Sequence, residues 1–194
     1  MHDPRFDRLA DVLVGHSTGV QPGEHLLVEG FDIPEEMVIA VARAVRRAGG
    51  HPHVALRSTR VVRALVEDAD DAQLETWAEV DRHRIERMDC YVGIRGAHNA
   101  SELAGVAEDR MQAWGRIYQR PVHFQQRVKH TRWCVLRWPS ASMAQPAGTS
   151  TEAFEQFYFD VCTMDYARMA KAVEPLVEAM TRARDVHVEG PGDT

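Results

Sequence analysis

Lysine is almost absent from this 194-residue chain: only Lys129 and Lys171 stand among 23 basic residues, and the others are arginines. That bias is compositional and carries no functional reading. Cysteine is scarce and odd in number, with Cys90, Cys134 and Cys162 far apart. Such spacing excludes a disulfide framework or a paired-cysteine zinc site and suits free buried thiols in a reducing cytoplasm. No apolar run approaches the ~18 residues of a membrane span. The polar start MHDPRFDR offers no apolar signal segment. A formal net charge of −6 and a pI near 5.9 leave no clustered positive charge for nucleic acid or an anionic membrane. Also missing are GxGxxG, GxxxxGK, HExxH and GxSxG, which removes the common phosphate, zinc-protease and serine-hydrolase devices. After the first apolar run, Gly30 to Glu36 offers one glycine and three carboxylates, which repel a phosphate. These absences describe a soluble, cytoplasmic protein without a nucleic-acid or membrane partner.

What is present is an ordinary globular composition, 44% apolar and 27% charged, long enough for one full core. Asp3-Pro4 reads as a capped helix start, with Phe6, Leu9, Ala10 and Leu13 on one face. Pro22-Gly23 makes a turn before a strand at 25–30. Pro34 opens a helix carrying Val38, Val41, Ala42 and Val45, closed by Gly49-Gly50. A strand at 53–56 precedes a charged helical region over 61–87, broken near Asp68 to Asp71. Further strands are expected at 89–95 and 132–138, with helix from about Ser101 to Val128 between them. Helices follow at about 151–163 and 166–183, the first with a Thr149/Glu152 capping box, the second capped by Asp165 and kinked or broken at Pro175. Val186 to Glu189 reads as an isolated strand. Strands separated by helices predict an α/β fold: a mostly parallel open sheet with helices on both faces, a Rossmann- or flavodoxin-like three-layer domain.

Candidate chemistry is sparse. Alternate strand residues His51 and His53 would share a face and could share a zinc, but no acidic or cysteine ligand lies nearby in sequence. Cys90 and Cys134 sit in apolar strands, where thiols are inert. Glu67, Asp68, Asp70 and Asp71 read as a solvated interhelical turn. Trp133, Trp138, Phe154, Phe157 and Tyr158 read as core, with Phe154, Phe157, Tyr158 and Val161 on one helical face. The most interesting cluster is Arg95, His98 and Asn99, because it follows a strand at the carboxyl end of the sheet, where α/β proteins place ligands. These three are the substrate-side candidates, against a plain turn role for Asn99.

One order of features is distinctive. Thr131 to Cys162 (TRWCVLRWPSASMAQPAGTSTEAFEQFYFDVC) joins an Arg-Trp strand, a Pro-x-x-x-Met-Ala-Gln turn and a Ser-Thr-Glu-started helix. It resembles the thermophilic-type (M29) metallo-aminopeptidases near the end of their N-terminal domain. Asp3 to Glu24 looks like that family's opening helix and Pro-Gly turn, and Val186 to Asp193 like its crossing strand into a second, catalytic domain. The resemblance implies a two-metal hydrolase, zinc or cobalt type, whose ions activate water to release N-terminal amino acids from peptides. It also implies that the Glu, His and Asp ligands lie beyond Thr194. Residues 1–183 would then form the N-terminal α/β domain and 184–194 the start of the catalytic one. No catalytic or metal-ligating residue, and no cofactor, is expected in this chain. Its partners would be its own C-terminal domain, the peptide substrate and a second copy in a homodimer. A second reading stays open: a non-catalytic binding or assembly module unrelated to peptide hydrolysis.

Overall fold

Four short apolar runs become the strands of one sheet in the computed structural model, which describes residues 3–190 and 192. They are β1 (His25–Phe31), β2 (His51–Arg57), β3 (Cys90–Arg95) and β4 (Arg132–Arg137). The order is β2-β1-β3-β4 and every neighbouring pair is parallel. Parallel neighbours need long crossovers, and the chain supplies helices for each. α1 (Pro4–Asp11) precedes β1, and α2 (Glu35–Arg47) joins β1 to β2. α3 (Thr59–Asp68) and α4 (Asp71–Ile85) join β2 to β3. α5 (Glu108–Trp114) runs on through a π-wound segment, Gly115–Arg127, into α6 (Val128–His130) before β4. After β4 come α7 (Ala141–Ala144) and α8 (Thr151–Cys162). The expected parallel α/β architecture is therefore observed. Because the chain turns left of β1 and then right of it, the carboxyl ends of β1 and β3 form the topological switch point.

Helix limits follow local chemistry. Asp3 accepts a 2.8 Å bond from the Arg5 N–H, with Pro4 at the first helical position. Asp70 accepts from the Gln73 N–H at 2.8 Å, so the break expected near Asp68 to Asp71 is a cap between two helices. α2 buries Met37, Val38, Ala40, Val41, Ala44 and Val45, and ends at Gly49, whose φ of +82° suits glycine.

Strand alternation then sorts side chains onto two faces. Leu26 and Val28 of β1 and Cys90, Val92 and Ile94 of β3 join the buried stripes of α1 and α2, together with Trp138 and Phe159, in one apolar cluster. Each fully buried aliphatic side chain there is worth about 1.5–3 kcal/mol. On the other face Leu27 and Tyr91 pack with Ala78, Ile85, Met88, Tyr118 and Val122.

Four expectations need correction. Helix begins at Glu108, not Ser101, because turns occupy the preceding stretch and Gly105 sits at φ +83°. The cap of α8 is Ser150, accepting from the Ala153 N–H at 3.1 Å, and not a Thr149/Glu152 box. The buried residues of α8 are Tyr158 and Phe159, whereas Phe157 is 62% exposed and Val161 and Trp133 are also exposed. Residues 186–189 form no ladder, and Pro191 and Asp193 of the Val186 to Asp193 segment lie outside the described residues. Residues 164–194 form a separate unit. Its helix α9 (Tyr166–Arg182) is capped by Asp165, runs through Pro175 without a break, and has no buried residue. Among the described residues no helix is long and apolar enough to cross a membrane.

Candidate functional site

The second face carries charge where strands normally carry aliphatics. Glu29 of β1 is 3% exposed, beside Gly93 in the β1–β3 register. Two residues further on, Phe31 pairs with both Arg57 of β2 and Arg95 of β3. Both guanidiniums therefore stand over one carboxylate: Arg57 Nε donates to Glu29 Oε1 at 2.6 Å, and Arg95 Nη2 to Glu29 Oε2 at 3.1 Å. The Tyr91 hydroxyl also donates to Glu29 and accepts from Arg95 Nη2 at 2.7 Å. A Cβ at position 93 would lie 2.9 Å from the Tyr91 ring, so Gly93 makes room for this arrangement.

A second carboxylate extends the network. Asp81 of α4 receives Arg57 Nη2 at 2.6 Å, the Tyr118 hydroxyl at 2.6 Å and Trp77 Nε1 at 2.9 Å. From the π-wound segment come His123 and Arg127, joined by a 3.4 Å bond from Arg127 Nε to His123 Nδ1. The Arg127 guanidinium lies over the Tyr91 and Trp133 rings, 4.9 Å from each centroid.

The ionisation of these groups follows from burial and neighbours. Burial alone would raise the Glu29 pKa, but Arg95, Arg57 and the Tyr91 hydroxyl outweigh it and hold the carboxyl below its usual range. Burial, reinforced by Glu29, pushes the Tyr91 phenol up, and burial does the same for Tyr118, with Asp81 adding to it. Burial lowers His123 to about 4, aided by Arg127, Arg95 and Arg57 and opposed by Glu29. At neutral pH this leaves Glu29 a carboxylate, Tyr91 and Tyr118 neutral phenols and His123 a neutral imidazole.

Space opens beside the network. A cavity of about 220 Å³ is walled by Phe31, Arg57, Trp77, Arg95, Trp114 and His123. One of about 400 Å³, reaching towards β4, touches Arg95, Gly96, Asn99 and Arg137. Gly96 is required there: a Cβ would fall 2.4 Å from the Asp32 carbonyl oxygen where the two strand ends meet. Asp32 itself holds φ +47° and accepts from the Thr59 N–H at 3.0 Å, tying the end of β1 to α3.

Of the residues singled out from sequence, Arg95 and Asn99 are brought to one cavity. Arg95 faces inward, its guanidinium 4.1 Å from the Phe31 ring centroid. Asn99 Oδ1 accepts from the Ser101 N–H at 3.0 Å, which is a turn contact, and His98 is exposed outside the lining of that cavity. Glu29, Arg57, Tyr91, Asp81, Tyr118, His123 and Arg127 were missed. A signal existed in β1, where Glu29 interrupts an apolar run on an otherwise buried strand. His51 and His53 do share a face, at the amino end of β2, where His25 Nδ1 and His53 Nε2 bond to each other at 2.8 Å. The His51 ring centroid is 4.9 Å from that of His25. Among the described residues no group of three or more His, Cys, Asp or Glu side chains is placed to hold a metal ion. These side chains do not fit a two-metal centre.

The family model described as Thermophilic metalloprotease (M29) matches residues 2–186. No curated protein matches the sequence. Among solved structures, wild-type AmpT from Thermus thermophilus superposes with a TM-score of 0.63 at 12% identity, covering 82% of this chain and 43% of its own. At that identity the likeness speaks for the fold, and the chain spans less than half of that protein's length. An alcohol dehydrogenase superfamily protein from Novosphingobium aromaticivorans aligns over 92% of this chain and 50% of its own, at 14% identity. Its TM-score of 0.32 is too low to carry an argument.

Proposed function

Because the chain belongs to the thermophilic metalloprotease (M29) family, we propose that it is the N-terminal α/β domain of a two-metal aminopeptidase that releases N-terminal amino acids from peptides. The observation that carries this reading is the family match over residues 2–186, set beside a span of only 43% of AmpT. In this reading the side chains that hold the metal pair lie outside these 194 residues. The domain walls the substrate cavity with the carboxyl end of its sheet, where Arg95 and Asn99 stand, and supports homodimer packing in the cytoplasm. The ions would supply Lewis-acid activation of water and of the scissile carbonyl. No step of that chemistry falls to a residue described above.

The test compares the 194-residue chain with the product of its whole reading frame, assayed for leucine release from a leucyl-anilide with and without zinc or cobalt. Metal-dependent turnover by the whole product, and neither turnover nor stoichiometric metal in the short chain, is expected. Turnover by the 194 residues alone overturns the domain reading. An inactive whole product turns the choice towards a binding or assembly module.

A further inference from the structure

We propose that the 220 Å³ cavity at the carboxyl ends of β1, β2 and β3 binds a small carboxylate with an apolar, planar body. This inference is independent of the peptidase reading, since it rests on the charge and shape of this chain alone.

Charge comes first. The buried network joins two carboxylates, Glu29 and Asp81, to Arg57 and Arg95, with Arg127 beside it on His123 and the half-exposed Arg84 3.9 Å from Asp81, and so holds at least one positive charge in excess. Arg127 is 8% exposed, its Nη1 has no hydrogen-bond partner among the described residues, and it stands behind the cavity wall, bonded to the lining residue His123. A buried charge of this kind is costly unless an opposite charge reaches it.

Unused donors come second. Arg95 bonds within the described residues only through Nη2, which leaves its Nε and Nη1. Arg57 uses Nε and Nη2, which leaves Nη1. Both side chains line the cavity, so donors not spent on Glu29, Asp81 or Tyr91 belong to residues of its wall. A guanidinium presents paired N–H groups that match the two oxygens of a carboxylate. Trp114, also in the wall, has a buried Nε1–H without a partner among the described residues.

Shape decides the body of the ligand. Phe31, Trp77, Trp114 and Tyr118 give the cavity aromatic walls, which favour a flat apolar group. Its volume is that of about seven waters at ~30 Å³ each, below the usual range for drug-sized ligands. Phenylacetate has the right size and chemistry. The same chemistry occurs at the carboxyl terminus of a peptide ending in an aromatic residue.

Titration calorimetry and tryptophan fluorescence on the full 194-residue chain test this with four probes: phenylacetate, phenylacetamide, Gly-Gly-Phe and its C-terminal amide. Phenylacetate is expected to bind and to quench Trp77 and Trp114, with phenylacetamide at least about tenfold weaker. Binding by Gly-Gly-Phe but not its amide would assign peptide ends as a source; binding by phenylacetate alone would assign free acids. Gln119→Glu sets a negative charge in the cavity wall without touching the buried network and is expected to weaken phenylacetate about tenfold. Trp114→Phe keeps an aromatic face in the wall but shrinks it, removes the orphan donor, and is expected to change affinity severalfold. Equal affinity for phenylacetate and phenylacetamide, or binding of neither, overturns the proposal. So does an unchanged affinity in both folded variants.

Discussion

On the face of the sheet that meets α1 and α2, β1 contributes Leu26 and Val28, and β3 contributes Cys90, Val92 and Ile94. On the other face the same two strands contribute Leu27, Glu29, Phe31, Tyr91 and Arg95. The backbone is shared, so the contrast isolates what side chains do. Apolar burial is non-directional, and any well-packed aliphatic of the right volume satisfies it. The charged face is directional: Glu29 needs Arg57, Arg95 and Tyr91 at bonding distance, and each of those depends on strand register. A half-satisfied polar network is costlier than an apolar core. Such a network on a buried face carries a cost in desolvation that the first face does not.

The largest effect should come from unbalancing that network. Glu29→Gln keeps the shape, removes the charge and leaves Arg57 and Arg95 facing each other. A loss of about 3–5 kcal/mol is expected in urea unfolding at pH 7. Val28→Ala, one residue away on the apolar face, removes two buried methyl groups and should cost about 2 kcal/mol. If Glu29→Gln proves the milder change, the two faces do not differ as argued.

Acid should separate the faces next. His123 titrates near 4 in the folded chain against 6.5 as a free side chain. As pH falls, the unfolded chain takes the proton first. The stability from keeping His123 neutral is thus complete above pH 6.5 and is lost progressively towards pH 4. That loss is about 3 kcal/mol for a shift of this size. Glu29, depressed as a carboxylate, adds to the loss at still lower pH. Urea midpoints between pH 7 and 4 should fall in the parent chain and fall less in His123→Gln. The Val28→Ala variant should keep the parent's slope, because nothing it touches titrates.

Tyr118→Phe is the smaller probe of the same face. It deletes one hydroxyl bonded to the Asp81 carboxylate, and a charge-assisted bond of this kind is worth about 1.5–3 kcal/mol. Thermal unfolding should show the loss with the far-ultraviolet spectrum unchanged. A stability unchanged within error would mean that water replaces the hydroxyl, and that this side of the network is wetter than the apolar face by more than its charges.

How much of this contrast could be read before folding differed by face. The apolar stripe of α2, the β1 and β3 runs and the helix breaks at Asp68 to Asp71 follow from short-range periodicity, so the layer order was legible. The network joins Glu29, Arg57, Asp81 and Tyr118 over long stretches of sequence, and no spacing rule links them. Only Glu29, a charge inside an apolar run, and Arg95, at the end of one, gave local signals. Arg95 was found and Glu29 was not. Trp133 and Phe157 were read as core because large rings usually are buried, but Trp133 lies on the open β4 edge and Phe157 points off the buried side of α8. The Arg127 role was illegible: its setting depends on a π-wound segment around Pro121, where the helical period no longer tells which residues turn inward.

Arg127 gives the smallest effect and the sharpest one. If it is the surplus cation, removing it leaves two carboxylates matched by Arg57 and Arg95, so no buried charge is orphaned. Arg127→Met should therefore change stability at pH 7 by no more than about 1 kcal/mol, the lost cation–π contacts being offset by the relief of desolvation. Its charge is among those that depress His123. The same variant should raise the His123 pKa and flatten the acid loss below pH 6.5. A drop of 3 kcal/mol or more at pH 7 would mean that Arg127 is electrically matched within the chain, and the charge imbalance behind the carboxylate site would disappear with it.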